Sequence, residues 1–106
     1  MKVLFDQGTP APLRRALVNC EVETAFERGW STQHNGALIA AAESAGFDVF
    51  VSTDRNLEYQ QNLSGRALSI VVLLTTSWPR MQRQLEGIAA AVETAQPGGY
   101  AEISVE

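Results

Sequence analysis

The sequence predicts an α/β fold: a single three-layer domain spanning residues 1–106, with a mainly parallel five-stranded sheet, strand order 2-1-3-4-5, and the last strand at an edge. Three observations carry this. Residues 3–5, 49–51 and 70–74 are short, continuous apolar runs, as expected of strands buried on both faces. Stretches with apolar residues at helical spacing separate them. The connections are short, without internal repeat, low-complexity tract or linker, and such alternation is the pattern of parallel strands joined by crossover helices.

Taken in order, Val3, Leu4 and Phe5 form a strand that stops at the turn Asp6-Gln7-Gly8. Thr9-Pro10 predicts a helix cap followed by proline at the first helical position. Leu13, Ala16 and Leu17 are the inner face of that helix. Glu21-Val22-Glu23-Thr24 alternates, as a half-covered strand does. Residues 26–30 suit one helical turn closed by Gly29, and Ser31 to His34 a polar loop. Asn35 is placed to cap a helix whose face is Leu38, Ile39, Ala42 and Ala45, with Gly46 as the terminating glycine. A short helix is expected over 57–63, before Gly65. Met81, Leu85, Ile88 and Val92 recur at spacings of four, three and four, which predicts one long last helix. Residues 100–105 alternate, as an edge strand with one wet face would.

Composition narrows the function classes. Hydrophobic residues are 45% and charged residues 19% of the 106, an ordinary globular balance. The net charge of −4 disfavours broad, charge-driven binding to nucleic acid while leaving room for a local basic patch. The positive set is seven arginines and one lysine. Cys20, the single cysteine, rules out an internal disulfide and is expected to pack as a small apolar residue. The apolar N-terminal run is too short for a secretory leader, and nothing approaches the ~18 apolar residues of a membrane span. The expectation is a soluble, cytoplasmic protein with no membrane partner.

In a doubly wound sheet, ligands bind outside the carboxyl ends of the strands, where the winding reverses. With order 2-1-3-4-5 that point lies between strands 1 and 3, which end at Asp6 and Asp54. Either aspartate alone also suits a turn or a helix cap, so it is their joint placement that singles them out. Strand 4 ends in Thr75, Thr76 and Ser77. Carboxylates, hydroxyls and amides together suit a hard cation, Mg²⁺ or Mn²⁺, and through it a phosphate oxygen. Arg80 and Arg83 start the last helix, against its dipole. With Arg14, Arg15 and Arg55, they offer guanidinium groups whose geometry matches phosphate, against the plainer role of solvated surface charge. Trp78 and Trp30 are expected to anchor the chain by packing. His34 has no second histidine for a zinc pair, and no glycine-rich phosphate loop is present.

The run Val3-Leu4-Phe5-Asp6-Gln7, the Asn35 helix start after Gly29, and Val49-Phe50-Val51-Ser52-Thr53-Asp54-Arg55-Asn56-Leu57 resemble the short PIN-like proteins of bacteria, relatives of the PIN-domain ribonuclease toxins of toxin–antitoxin pairs. The resemblance covers nearly the whole chain in element order. It implies that Asp6 and Asp54 hold a divalent metal, with Thr53 beside it, and that the metal activates water to cut a phosphodiester of RNA. It also implies an acid near the start of the middle helix, where this chain has Asn35, and another two residues past Asp54, where it has Asn56. Glu43, eight residues after Asn35, is more than two turns away and does not replace it. A site with two carboxylates and two amides carries two fewer negative charges than a four-acid site. Mg²⁺ is nonetheless held elsewhere by one or two carboxylates plus substrate phosphate.

Two function classes follow. One is a metal-dependent ribonuclease of toxin type, with Asp6 and Asp54 catalytic and metal-binding. In it Asn35, Thr53, Asn56, Thr75, Arg14, Arg55 and Arg80 support the substrate, and the partners are RNA and a cognate antitoxin protein. The other is a module that kept the fold, lost the chemistry, and binds a partner protein or nucleic acid. A phosphoacceptor receiver domain fits poorly, because Gln7 follows Asp6 and no lysine follows the last strand. The 100–105 strand and the last helix are surfaces on which a homodimer would form.

Overall fold

The computed structural model describes residues 1–33, 35–57 and 66–105. Five strands, β1 (Lys2–Phe5), β2 (Glu21–Thr24), β3 (Val49–Ser52), β4 (Ser69–Leu73) and β5 (Tyr100–Ile103), form one sheet in the order β2-β1-β3-β4-β5. All four neighbouring pairs are parallel, with Leu4 opposite Phe50 and Phe50 opposite Ile70 at the centre. The expected order, single α/β domain and edge position of the last strand are therefore as read from the sequence.

Strand residues alternate strictly between two cores, as the period of two requires. Val3, Phe5, Val49, Val51, Val71 and Leu73 face one way. Leu4, Phe50, Ile70 and Val72 face the other. The first core is closed by a 3-10 helix (Ala11–Ala16) and by α2 (Trp78–Gln82) and α3 (Leu85–Glu93), through Leu13, Leu17, Met81, Ile88 and Val92. The second is closed by α1 (Asn35–Ser44) through Leu38, Ile39 and Ala42, together with Ala25 and Leu57. Trp30 meets Phe47 edge-on, and Trp78 packs against the first core, so both tryptophans are anchors.

Two local expectations change. The segment after β1 is a 3-10 helix rather than an α-helix: Leu13 and Leu17 donate to the carbonyls three residues back. Pro10 and Pro12 lack N–H groups and shorten what an α-helical ladder could form there. The long last helix is broken, because Arg83 and Gln84 bond to the carbonyls of Arg80 and Met81, three residues back, and the chain turns before α3. The single turn expected before Trp30 is present: the Arg28 N–H bonds the Thr24 carbonyl four residues back, and Gly29 closes it at φ 75°. Gly46 ends α1 at φ 81°, a conformation costly for any other residue. Helix α1 begins at Asn35; the side chain of Asn35, His34 and the helix expected over 57–63 lie outside the described residues, apart from buried Leu57.

The layering sets the hand of the connections. The β1–β2 crossover and the β4–β5 crossover use the same face, yet they step in opposite directions along the sheet. They therefore have opposite hand, whereas parallel crossovers are nearly all right-handed. Among the described residues no helix is long and apolar enough to cross a membrane.

Candidate functional site

Asp6 follows the last residue of β1 and is buried, with 7% of its surface exposed. Its position is fixed from both sides. Its N–H donates to the Val51 carbonyl at 3.0 Å, and its carbonyl accepts from the Thr9 N–H at 3.2 Å. Its carboxylate accepts two hydroxyls, Thr9 Oγ1 on Oδ1 and Ser52 Oγ on Oδ2, both at 2.6 Å. A buried carboxylate is tolerated only when so satisfied. Thr9, expected to cap the first helix, is used here instead: the 3-10 helix has no side-chain cap.

Asp54 is joined to Asp6 through Ser52. The Ser52 Oγ that donates to Asp6 accepts the Asp54 N–H at 3.0 Å. The Asp54 carboxylate in turn accepts the Asn56 N–H at 2.9 Å on Oδ1. Asp54 is half-buried, where Asp6 is nearly closed off. The two predicted acids thus stand at the β1–β3 switch point, linked through Ser52 by two hydrogen bonds. Thr53 closes the same corner. A Cβ built on Gly8 would sit 2.6 Å from Thr53 Oγ1 and 3.8 Å from Asp6 Oδ1, so glycine at position 8 leaves the room that Thr53 occupies.

A groove of about 640 Å³ opens beside Asp6, toward the end of β2. Gln7, Pro10, Arg14 and Phe26 line it, and Phe26 is 78% exposed. The Gln7 side-chain amide donates to the Ser31 carbonyl across it. Arg14 is brought to this groove but is committed to Glu27 by a paired contact, 2.5 Å and 3.3 Å. The Arg14 guanidinium, and then the Thr24 N–H, hold the Glu27 carboxyl down to about 2. Asn56 contributes its backbone N–H, and its surface is exposed. Thr75 accepts the Ser77 N–H at 3.1 Å, which shapes the approach to α2. Arg55 and Arg80 lie at a different cavity, after β3 and β4. Cys20 packs against the first core, and burial, then Glu93, push its thiol up, away from nucleophilic use.

Sequence reasoning singled out the acids and Thr53 but not Ser52, Thr9 as an Asp6 partner, or Gly8. Ser52 carried a signal: it is the one polar residue ending an apolar strand, and it is fully buried. The donor set is entirely oxygen, which suits a hard cation. No group of three or more acids, histidines or cysteines gathers among the described residues. Two carboxylates fit a cation that arrives with a phosphate ligand better than a resident one.

The fold and this corner define a class: a doubly wound parallel α/β domain with an all-oxygen polar site at its switch point. Beyond that class, no family model, curated protein or solved structure matches the chain.

Proposed function

We propose that the chain is a PIN-like, metal-dependent ribonuclease with a reduced acidic site, of the kind that serves as toxin in a toxin–antitoxin pair. The observation that carries the reading is the hydrogen-bonded run from Asp54 through Ser52 to Asp6 at the switch point. It fixes two acids of unequal exposure at a switch point, where open α/β sheets bind ligands. Asp6 and Asp54 would hold Mg²⁺ or Mn²⁺, which when bound neutralises phosphate charge and lowers the pKa of a bound water. The chain's own residues do the positioning. Thr9 and Ser52 lock the Asp6 carboxylate in one orientation, and the Asn56 N–H does the same for Asp54. The apolar groove with exposed Phe26 gives a nucleobase a surface to stack on beside Asp6.

The test is cleavage of single-stranded RNA with Mn²⁺ by the purified chain, and its loss in Asp6→Asn and Asp54→Ala variants that melt as folded proteins. RNA left intact with Mg²⁺, Mn²⁺ and Co²⁺ alike overturns the reading.

A second reading, a PIN-like module that binds a partner protein or nucleic acid without cutting, is favoured by one observation. Both Asp6 oxygens already accept hydroxyls, and no third acid joins the pair among the described residues. Calorimetry separates the two. Heat of Mn²⁺ binding that vanishes in Asp54→Ala supports the nuclease, and its absence at millimolar metal supports the module.

A further inference from the structure

We propose that the cavity between Arg55, Arg80 and Arg83 is a binding site for a phosphomonoester dianion, separate from the Asp6–Asp54 corner and independent of whether that corner cuts RNA. Charge gives the first argument. Acids outnumber bases 12 to 8 in this chain, so an arginine has carboxylates to choose from. Arg14, Arg28 and Arg66 take them, pairing with Glu27, Glu23 and Glu43. Arg55, from the loop after β3, and Arg80 and Arg83, from α2 and its C-terminal end, instead converge on one cavity of about 540 Å³. Leu74, Ser104 and Val105 complete its lining, so among the described residues no carboxylate enters it. Three like charges on one cavity repel one another, and an anion between them removes that repulsion.

Topology gives the second. The loop leaving β3 turns toward the α1 face, where Leu57 is buried. The loop leaving β4 turns to the opposite face, where Met81 is buried. Neighbouring strands whose connections diverge leave a crevice at their carboxyl ends, and that is where open α/β sheets bind ligands. Because the connections leaving β3 and β4 turn to opposite faces, a second switch point forms between β3 and β4. The arginine cavity is assembled from the residues that follow those two strands and β5.

The chemistry of the groups gives the ligand. A guanidinium fork matches phosphate oxygens through paired N–H donors. Arg55 spends one N–H on the Leu74 carbonyl, at 2.6 Å, which holds its side chain against the cavity wall and leaves other donors of the fork. Three cations balance a doubly charged terminal phosphate better than the single charge of a diester. The volume lies in the range of small-molecule sites, enough for a phosphate and the sugar that carries it.

The experiment measures binding at low ionic strength, with EDTA to prevent cleavage. The probes are orthophosphate and one short RNA made with either a 5′-phosphate or a 5′-hydroxyl. Saturable orthophosphate binding is expected, weakened at least about tenfold in R80Q/R83Q and in R55Q, and partly in R80K/R83K, because an ammonium lacks the fork. R28Q, whose arginine pairs with Glu23, should bind as the parent does. Tighter binding of the 5′-phosphorylated RNA than of its hydroxyl twin identifies a nucleic-acid end as the source. Failure of both RNAs to displace orthophosphate identifies a small phosphate compound. No saturation by about 10 mM phosphate, tenfold above a millimolar Kd, overturns the proposal. So does unchanged affinity in R80Q/R83Q, or displacement of orthophosphate by the hydroxyl-ended RNA as strongly as by the phosphorylated one.

Discussion

Between β1 and β3, the polar groups of the crevice are joined to one another: Thr9 and Ser52 donate to Asp6, and Asp54 donates to Ser52. Between β3 and β4, charged groups of one sign share a cavity whose described lining holds no carboxylate. The first corner is buried and integral to the fold; the second is built from exposed side chains of loops and of the short helix α2. A polar network inside a protein contributes to stability because undoing one partner strands the others. Surface cations with no carboxylate beside them among the described residues contribute little to stability and are available to a ligand. Loss of function at the first crevice should therefore come with loss of stability, and at the second crevice without it.

The largest effect is expected at Asp6. Asp6→Ala removes the acceptor of two buried hydroxyls and should lower stability by ~2–4 kcal/mol in urea denaturation. Asp6→Asn keeps the volume and one acceptor oxygen, so it should cost less while still abolishing any metal-dependent cleavage. If Asp6→Ala unfolds at the parental urea concentration, the polar network of the first crevice is not integral to the fold.

Ser52→Ala comes next. It removes the hydroxyl that links Asp54 to Asp6 and should cost ~1–2 kcal/mol, typical of one buried hydrogen-bonded group. It should also reduce any metal-dependent cleavage, because Asp54 loses its tie. Gly8→Ala should follow, at up to ~1 kcal/mol, since the new methyl must displace the Thr53 hydroxyl. A crystal structure of that variant with Thr53 unmoved would contradict the packing assigned to this corner.

At the second crevice, Arg80→Gln with Arg83→Gln should leave stability within ~0.5 kcal/mol of the parent, as exposed substitutions usually do. A rise in stability in low salt would fit relief of repulsion between the arginines.

The smallest effect concerns acid. Glu27 is held at about 2 in the folded chain by Arg14 and the Thr24 N–H, below its unfolded value. A lowered folded pKa means that the pair's contribution is fully present above about pH 4.3, the unfolded value, and fades as pH falls toward 2. Because Glu27 is exposed, the contribution is modest. Glu27→Gln should flatten the dependence of the melting temperature on pH across that interval and leave it unchanged near neutrality.

Much of the fold was legible because the strands carry local signals. Residues 3–5, 49–51 and 70–73 are apolar on both faces, and that pattern specifies buried parallel strands wherever they occur. Given those strands and short connections, the order and the β1–β3 switch point followed, and with them Asp6 and Asp54. The helix break at Arg83 was not legible. Met81, Ile88 and Val92 keep a helical spacing that a continuous helix would satisfy equally well, and all three are buried as that spacing predicts. Only docking against the sheet and the 3-10 helix selects the broken path.

The sequence by itself marked the strands through periodicity within short segments, and the short parallel connections between them then pointed to the order and to the two acids at its switch point. The tertiary structure alone decided which hydroxyls hold Asp6, which face the last crossover takes, and hence that Arg55 shares a second crevice with Arg80 and Arg83 of the α2 segment. Those outcomes depend on contacts between segments distant in the chain, and no local pattern encodes the hand with which a helix returns to its sheet.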